Sequence, residues 1–223
     1  VPVGWRNQFC GIEKLHYQGI TIYFLDNEYY FKRHGSYGFE DDGERFAFFS
    51  RAVLEALPYL EESPEIIHCH DWQTGLIPVL LKAHYVNQPL YNGVKTVFTI
   101  HNLRYQGVYP KSVLADLLNL SDLYFHMDAL EFYGNISYLK GGLAFADCVT
   151  TVSATYASEI QTPYYGEGLD GFLRKKGSTL RGIVNGIDND SYNPTRDELI
   201  SFTFDDQKGK AKNKTNLQET LGL

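Results

Sequence analysis

Cysteine is scarce in this chain. There are three in 223 residues, Cys10, Cys69 and Cys148, too few and too scattered for a disulfide framework or a zinc site. Cys69 and Cys148 lie in apolar, strand-like runs and read as small buried hydrophobes, a pattern that fits a reducing compartment. Methionine is scarcer still: Met127 is the one methionine and the chain opens on Val1, which reads as a removed start or an excised piece. No stretch approaches the ~18 apolar residues of a membrane span, and none reads as a signal peptide. Positive charge is in deficit, with 20 Lys and Arg against 27 Asp and Glu for a net charge of −7. Such an acidic chain repels phosphate backbones, which argues against nucleic acid as a partner. The basic run Lys208, Lys210, Lys212, Lys214 is followed by Leu217, Leu221 and Leu223, and reads as the solvated face of a terminal helix. Neither GxGxxG nor GxxxxGK[ST] occurs, so no phosphate-cradling loop follows a strand.

What is present is a folding composition. Hydrophobic residues make up 43% and charged ones 21%, which excludes wholesale disorder. At ~150 residues per domain the length predicts one large domain, or one with a tail. Aromatics reach 15%, with 17 Tyr and 14 Phe, enough to place rings at a surface site as well as in a core. Strands are predicted at 19–25, 66–70, 94–101, 148–152 and 180–184 from β-branched, apolar runs. Helices are predicted at 44–60, 73–84 (with Pro78 tolerated or kinking it), 111–118, 137–146, 154–160, 169–175 and 206–221, from apolar spacing and from Ser153 as a cap. Residues 28–43, with Gly35, Gly38 and Gly43, read as a loop. There is no internal repeat. Strands alternating with helices predict an α/β, Rossmann-like parallel sheet with helices on both faces, and in such sheets ligands bind beyond the carboxyl ends of the strands.

Those ends carry His70-Asp71-Trp72, His101-Asn102, Ser153 and Asn185-Gly186-Ile187-Asp188. Imidazole, carboxylate, amide and indole suit a polyhydroxylated ligand, whose hydroxyls each want a donor and an acceptor. Plainer roles compete. His68, inside its strand, reads as a histidine bonded to a backbone carbonyl, and His101 fits that role as well as a ligand contact. Asp71 fits a cap for the helix near Gln73. Asn185-Gly186 fits a tight turn in which Gly186 takes positive φ. His68-x-His70 also fits a metal-dependent hydrolase, but the eight-stranded barrel of ~250 residues which that chemistry uses does not fit this length, and further His ligands are missing.

Taken in order, His68-Cys69-His70-Asp71-Trp72-Gln73-Thr74-Gly75-Leu76, Val97-Phe98-Thr99-Ile100-His101-Asn102-Leu103 with Tyr105-Gln106-Gly107, Ile136-Ser137-Tyr138-Leu139-Lys140-Gly141-Gly142, Ala146-Asp147 with Val149-Thr150-Thr151-Val152-Ser153, and Val184-Asn185-Gly186-Ile187-Asp188 with Asn193-Pro194 resemble the bacterial glycogen synthase and plant starch synthase family over nearly the whole chain. The resemblance implies a GT-B enzyme, two Rossmann-like domains facing a cleft, that transfers glucose from ADP-glucose to the non-reducing end of an α-1,4-glucan with retention. Residues 1–195 would be most of the N-terminal, acceptor-side domain, lacking its first strand and its Lys-x-Gly-Gly-Leu loop. Residues 196–223 would lead toward the absent C-terminal domain, a partner that holds the diphosphate. Lys140-Gly141-Gly142-Leu143 is a decoy for the missing loop, since it lacks the spacer and lies in a helical stretch.

By the same resemblance His101 is the catalytic residue, meeting the donor glucose with its side chain while its carbonyl lies near the anomeric carbon. Asn102 and Asn185 join it on the donor sugar, and Tyr37, Asp71, Trp72 and Gln73 serve the acceptor. Gln73 stands where many bacterial members have His, which leaves its role open, and Tyr192 stands where Trp is usual. No cofactor, metal or membrane is implied, and the compartment is the bacterial cytoplasm, or a plastid for a plant source. UDP-glucose stays open as donor. A non-catalytic glucan-binding module stays open as the function of the chain.

Overall fold

The structure is a computed structural model that describes residues 1–177 and 179–223. The chain divides into two units, Val1–Ile183 and Val184–Leu223.

In the first unit an antiparallel hairpin, β1 (Gly11–Tyr17) and β2 (Ile20–Asp26), precedes the helix α1 (Asp42–Ala56). Then come β3 (Ile66–His70), α2 (Leu76–Leu80), β4 (Lys95–Ile100), α3 (Tyr138–Phe145), β5 (Cys148–Thr151), α4 (Ala154–Glu159), α5 (Asp170–Lys176) and β6 (Leu180–Gly182). The four later strands form the expected parallel sheet in the order β6-β5-β4-β3. Each crossover steps the same way along the sheet, so right-handed connections place their helices on one side. Burial follows: Ile67, Cys69, Phe98, Ile100 and Val149 are buried, while Ile66, His68 and His70 of β3 are exposed.

Local chemistry explains the elements. Ser153 caps α4 as predicted, its hydroxyl accepting from the Tyr156 N–H at 2.9 Å, and Ser137 caps α3 by accepting from Lys140 N at 3.1 Å. Gly142 lets α3 lie against the sheet, since a Cβ there would come within 2.4 Å of the Phe98 ring. Lys140-Gly141-Gly142-Leu143 is therefore helix interior, as the sequence indicates.

Several expectations need correction. Glu28–Phe31, read as loop, is a helical turn capped by Asn27, which accepts from Tyr30 N at 2.9 Å. The helix predicted over 73–84 is a 3-10 turn at Trp72–Thr74, then α2, then a wider π turn at Leu81–Tyr85. The helix predicted over 111–118 shortens to Val113–Asp116. Cys69 is buried, and burial pushes its thiol up to about 12, but Cys148 is only half-buried. Among the antiparallel pairings not foreseen are two hairpins, β1–β2 and Glu131–Phe132 with Asn135–Ser137. Each turns through a residue followed by glycine, both at positive φ (Gln18-Gly19 at 49° and 78°, Tyr133-Gly134 at 50° and 79°), the geometry that matches strand twist in two-residue hairpins.

In the second unit α6 (Gln207–Leu221) is capped by Asp206, which accepts from Gly209 N at 2.7 Å, and ends at Gly222 with φ +71°. Lys208, Lys210, Lys212 and Lys214 are exposed on it, so the basic run is a solvated face.

Candidate active site at the strand ends

β3 and β4 run side by side, His70 opposite Thr99, and deliver the expected residues to one lip. Asp71 follows β3 directly. Its N–H donates to Thr99 O at 3.0 Å, and its backbone then turns to φ +55°, a region costing ~1–3 kcal/mol for a non-glycine residue. The turn carries the carboxylate across to the next strand end, where Oδ1 accepts from His101 N at 2.8 Å and from Asn102 N at 3.3 Å. Asp71 makes no cap bond to the Trp72–Thr74 turn, so the capping role is replaced by a bridge between two strand ends.

His101 and Asn102 are exposed. Asn102 Oδ1 accepts from Arg104 N at 3.0 Å, and Leu103 N donates to the Tyr156 hydroxyl at 3.1 Å, so the loop after β4 is fixed on both sides. The His101 ring lies with Nε2 3.0 Å from His70 Nδ1. His68 does not meet a backbone carbonyl; its Nε2 is 2.6 Å from the Thr99 hydroxyl, itself 2.6 Å from that of Thr150. Burial, and the charge that His68 and His101 would carry, hold His70 below the ordinary histidine value. Among the described residues no three His, Cys, Asp or Glu side chains gather as a metal group.

Of the acceptor-side candidates, Tyr37 and Trp72 line an aromatic cleft of about 520 Å³ with Tyr105, Gln106 and Tyr109, whereas Asp71 and Gln73 are not part of its lining. Trp72 is 6% exposed and stands edge-on to Phe46 at 4.8 Å, whereas Tyr37 and Tyr105 are each 53% exposed. The open rings are therefore the tyrosines, with Trp72 beneath them. Gly107, at φ +60°, passes so close to the indole that a Cβ would sit 2.4 Å from it. Gln73 is half-buried in the short turn, its carbonyl 3.5 Å from the Ser50 hydroxyl.

Asp42 and Arg45, which help place this cleft, were not singled out in the sequence, and Gln106 was named there only within the Tyr105-Gln106-Gly107 motif. The buried Asp42 accepts from Gly38 N at 2.6 Å and Phe39 N at 3.1 Å and pairs with the buried Arg45, whose Nε donates to Tyr30 O at 2.7 Å. Together they hold the loop that presents Tyr37. Gln106 donates through Nε2 to Glu167 O at 2.9 Å. The i, i+3 acid–base spacing of Asp42 and Arg45 was the available signal.

Asn185 belongs to the second unit, in an exposed stretch without helix or strand. Gly186 does not take positive φ, so the tight-turn reading is not realised. Asp188 makes the local structure there, accepting from Asp190 N at 2.9 Å and Ser191 N at 3.1 Å.

The chain is 58% identical to a glycogen synthase of Desulforamulus reducens and 56% identical to one of Alkaliphilus metalliredigens, each match covering all of this chain and 47% of the relative. It thus spans about half the length of the curated relatives it matches. Its fold superposes on the catalytic domain of starch synthase IV from Arabidopsis thaliana, solved bound to ADP and acarbose, with a TM-score of 0.79 and 36% identity over 96% of this chain and 45% of that one. A family model described as the starch synthase catalytic domain matches residues 1–175, and the chain belongs to that family.

Proposed function

We propose that this chain is the acceptor-side part of a retaining glucosyltransferase that moves glucose from ADP-glucose to the non-reducing end of an α-1,4-glucan in the cytoplasm. The observation that carries the reading is the bridge from Asp71 to the backbone of His101 and Asn102 at the carboxyl lip of the sheet. Glycogen synthase relatives and a starch synthase neighbour bound to ADP and acarbose supply the substrate class.

In this reading the donor glucose lies against His101. As the bond to the diphosphate lengthens, positive charge builds at the anomeric carbon, and the His101 carbonyl, held by the Asp71 bridge, offers a fixed negative dipole there. The acceptor hydroxyl attacks from the same face, and its proton passes to the leaving phosphate oxygen, so no side chain need act as nucleophile. Asn102 and Asn185 bind donor hydroxyls. Tyr37, Trp72, Asp71 and Gln73 serve the acceptor, the open tyrosine faces taking the apolar face of a glucose ring. Groups that grip the diphosphate lie outside this chain, in a second domain that closes on it. No metal or organic cofactor enters the scheme.

The test is a glucosyl-transfer assay on the complete protein, ADP-glucose against UDP-glucose, with maltooligosaccharide as acceptor. Transfer from ADP-glucose is the expected result, and none from these 223 residues alone. Failure of the complete protein to transfer from either donor overturns the reading in favour of a glucan-binding module.

A further inference from the structure

His101 has one hydrogen-bond partner on its ring among the described residues, and that partner is another imidazole. The 3.0 Å approach of His70 Nδ1 to His101 Nε2 is a full hydrogen bond, so one nitrogen must carry the proton and the other must be bare. The two rings differ in how firmly they are held. Both residues are exposed, but His101 stands beyond the end of β4, whereas His70 is the last residue of β3, paired in register with Thr99. Thr74 donates its hydroxyl to the His70 carbonyl at 2.7 Å. Below His70 the ring of His68 packs at 4.2 Å with the planes 34° apart, itself anchored through Thr99 to Thr150. The row Thr150, Thr99, His68, His70 thus runs across the sheet and ends on His101.

We infer that His70 is a positioning residue for His101: it engages Nε2, ties the tautomer of His101 to its own, and leaves Nδ1 of His101 as the ring nitrogen free for a sugar hydroxyl. The inference rests on the proposed contact of His101 with donor glucose only for its effect on rate; the tautomer is a property of the pair itself. A hydroxyl that meets a ring nitrogen of fixed protonation has its own donor or acceptor role fixed in turn, whereas a ring free to exchange tautomers presents the wrong one part of the time.

Two variants of the complete protein separate this role from a merely structural one. His70→Phe keeps the ring volume and removes the hydrogen bond; His70→Asn keeps a polar atom near the place of Nδ1. Glucosyl transfer and the ¹⁵N shifts of the His101 ring are measured on both, with thermal midpoints. In the expected result His70→Phe lowers kcat by about 10- to 100-fold, leaves the KM for ADP-glucose nearly unchanged, and turns a single His101 tautomer into a mixture. His70→Asn then retains most of the rate and the single tautomer. A single unchanged tautomer in His70→Phe overturns the inference, as does equal loss of rate in both variants. An inactive wild-type protein, or His101→Ala with wild-type kcat, would instead strike the functional reading, and the tautomer measurement would still decide the role of His70.

Discussion

The carboxylate of Asp71 accepts the backbone N–H of His101 at 2.8 Å, from a residue whose own backbone sits at φ +55°. A strained residue thus sets the position of a peptide group on the adjacent strand. Charge-assisted bonds of this kind contribute ~1.5–3 kcal/mol, enough to offset a strain of ~1–3 kcal/mol.

Two substitutions at this position separate strain from bridge. Asp71→Ala loses the carboxylate and keeps the strained backbone; Asp71→Gly loses the carboxylate and relieves the strain. Both should lower kcat of the complete protein by about tenfold or more, since both hydrogen bonds to the carboxylate are lost, each worth ~1.5–3 kcal/mol, and the peptide that carries the His101 carbonyl is freed. The thermal midpoint of the glycine variant should exceed that of the alanine variant. A glycine variant with wild-type kcat would show that the bridge has no part in transfer.

His101→Ala in the complete protein should reduce kcat more than it raises KM, because the contact strengthens as charge develops. A loss of ~2–4 kcal/mol corresponds to about 30- to 1000-fold. The thermal midpoint should hold, because the ring is exposed. A normal kcat with a depressed midpoint would mark His101 as structural.

Gly142→Ala should destabilise the first unit by ~1–3 kcal/mol. The added Cβ meets Phe98 at 2.4 Å, and that ring is fully buried between α3 and the sheet, with no room to turn aside. Chemical denaturation of the variant and parent measures the difference; equal midpoints would mean that α3 shifts freely.

Acidification should weaken the fold through two histidines. Burial holds both His70 and His84 below the ordinary histidine value of 6.5, with Arg51 adding to the effect at His84. The unfolded chain therefore binds more protons than the folded one between the depressed values and 6.5, and stability falls as pH drops through that window. Below the depressed values the effect is complete and the slope from these groups vanishes. Thermal midpoints from pH 8 to pH 5 should show the decline, and His84→Gln should flatten it. An unchanged slope in that variant would assign the decline elsewhere.

Much of the arrangement was written locally. Runs such as Lys95–Ile100 are apolar enough to be buried strands, and Ser153 and Asp206 mark helix starts because their side chains satisfy N–H groups a few residues on. The order of strands and helices then restricted the sheet to a parallel one, which put His70-Asp71 and His101-Asn102 at strand ends. Contacts between segments distant in the chain could not be read that way. Asp71 looked equally suited to cap a turn, and only the side-by-side placement of β3 and β4 gave its carboxylate two N–H groups thirty and thirty-one positions away. The same placement brought His70 to His101 and put Trp72 beneath the tyrosines, for spacing along one strand reports which face a side chain takes but not which neighbour it meets. Sequence determined the elements and their polarity, because these depend on nearby residues; tertiary structure alone decided the hydrogen-bond partners, because these depend on which strand lies alongside.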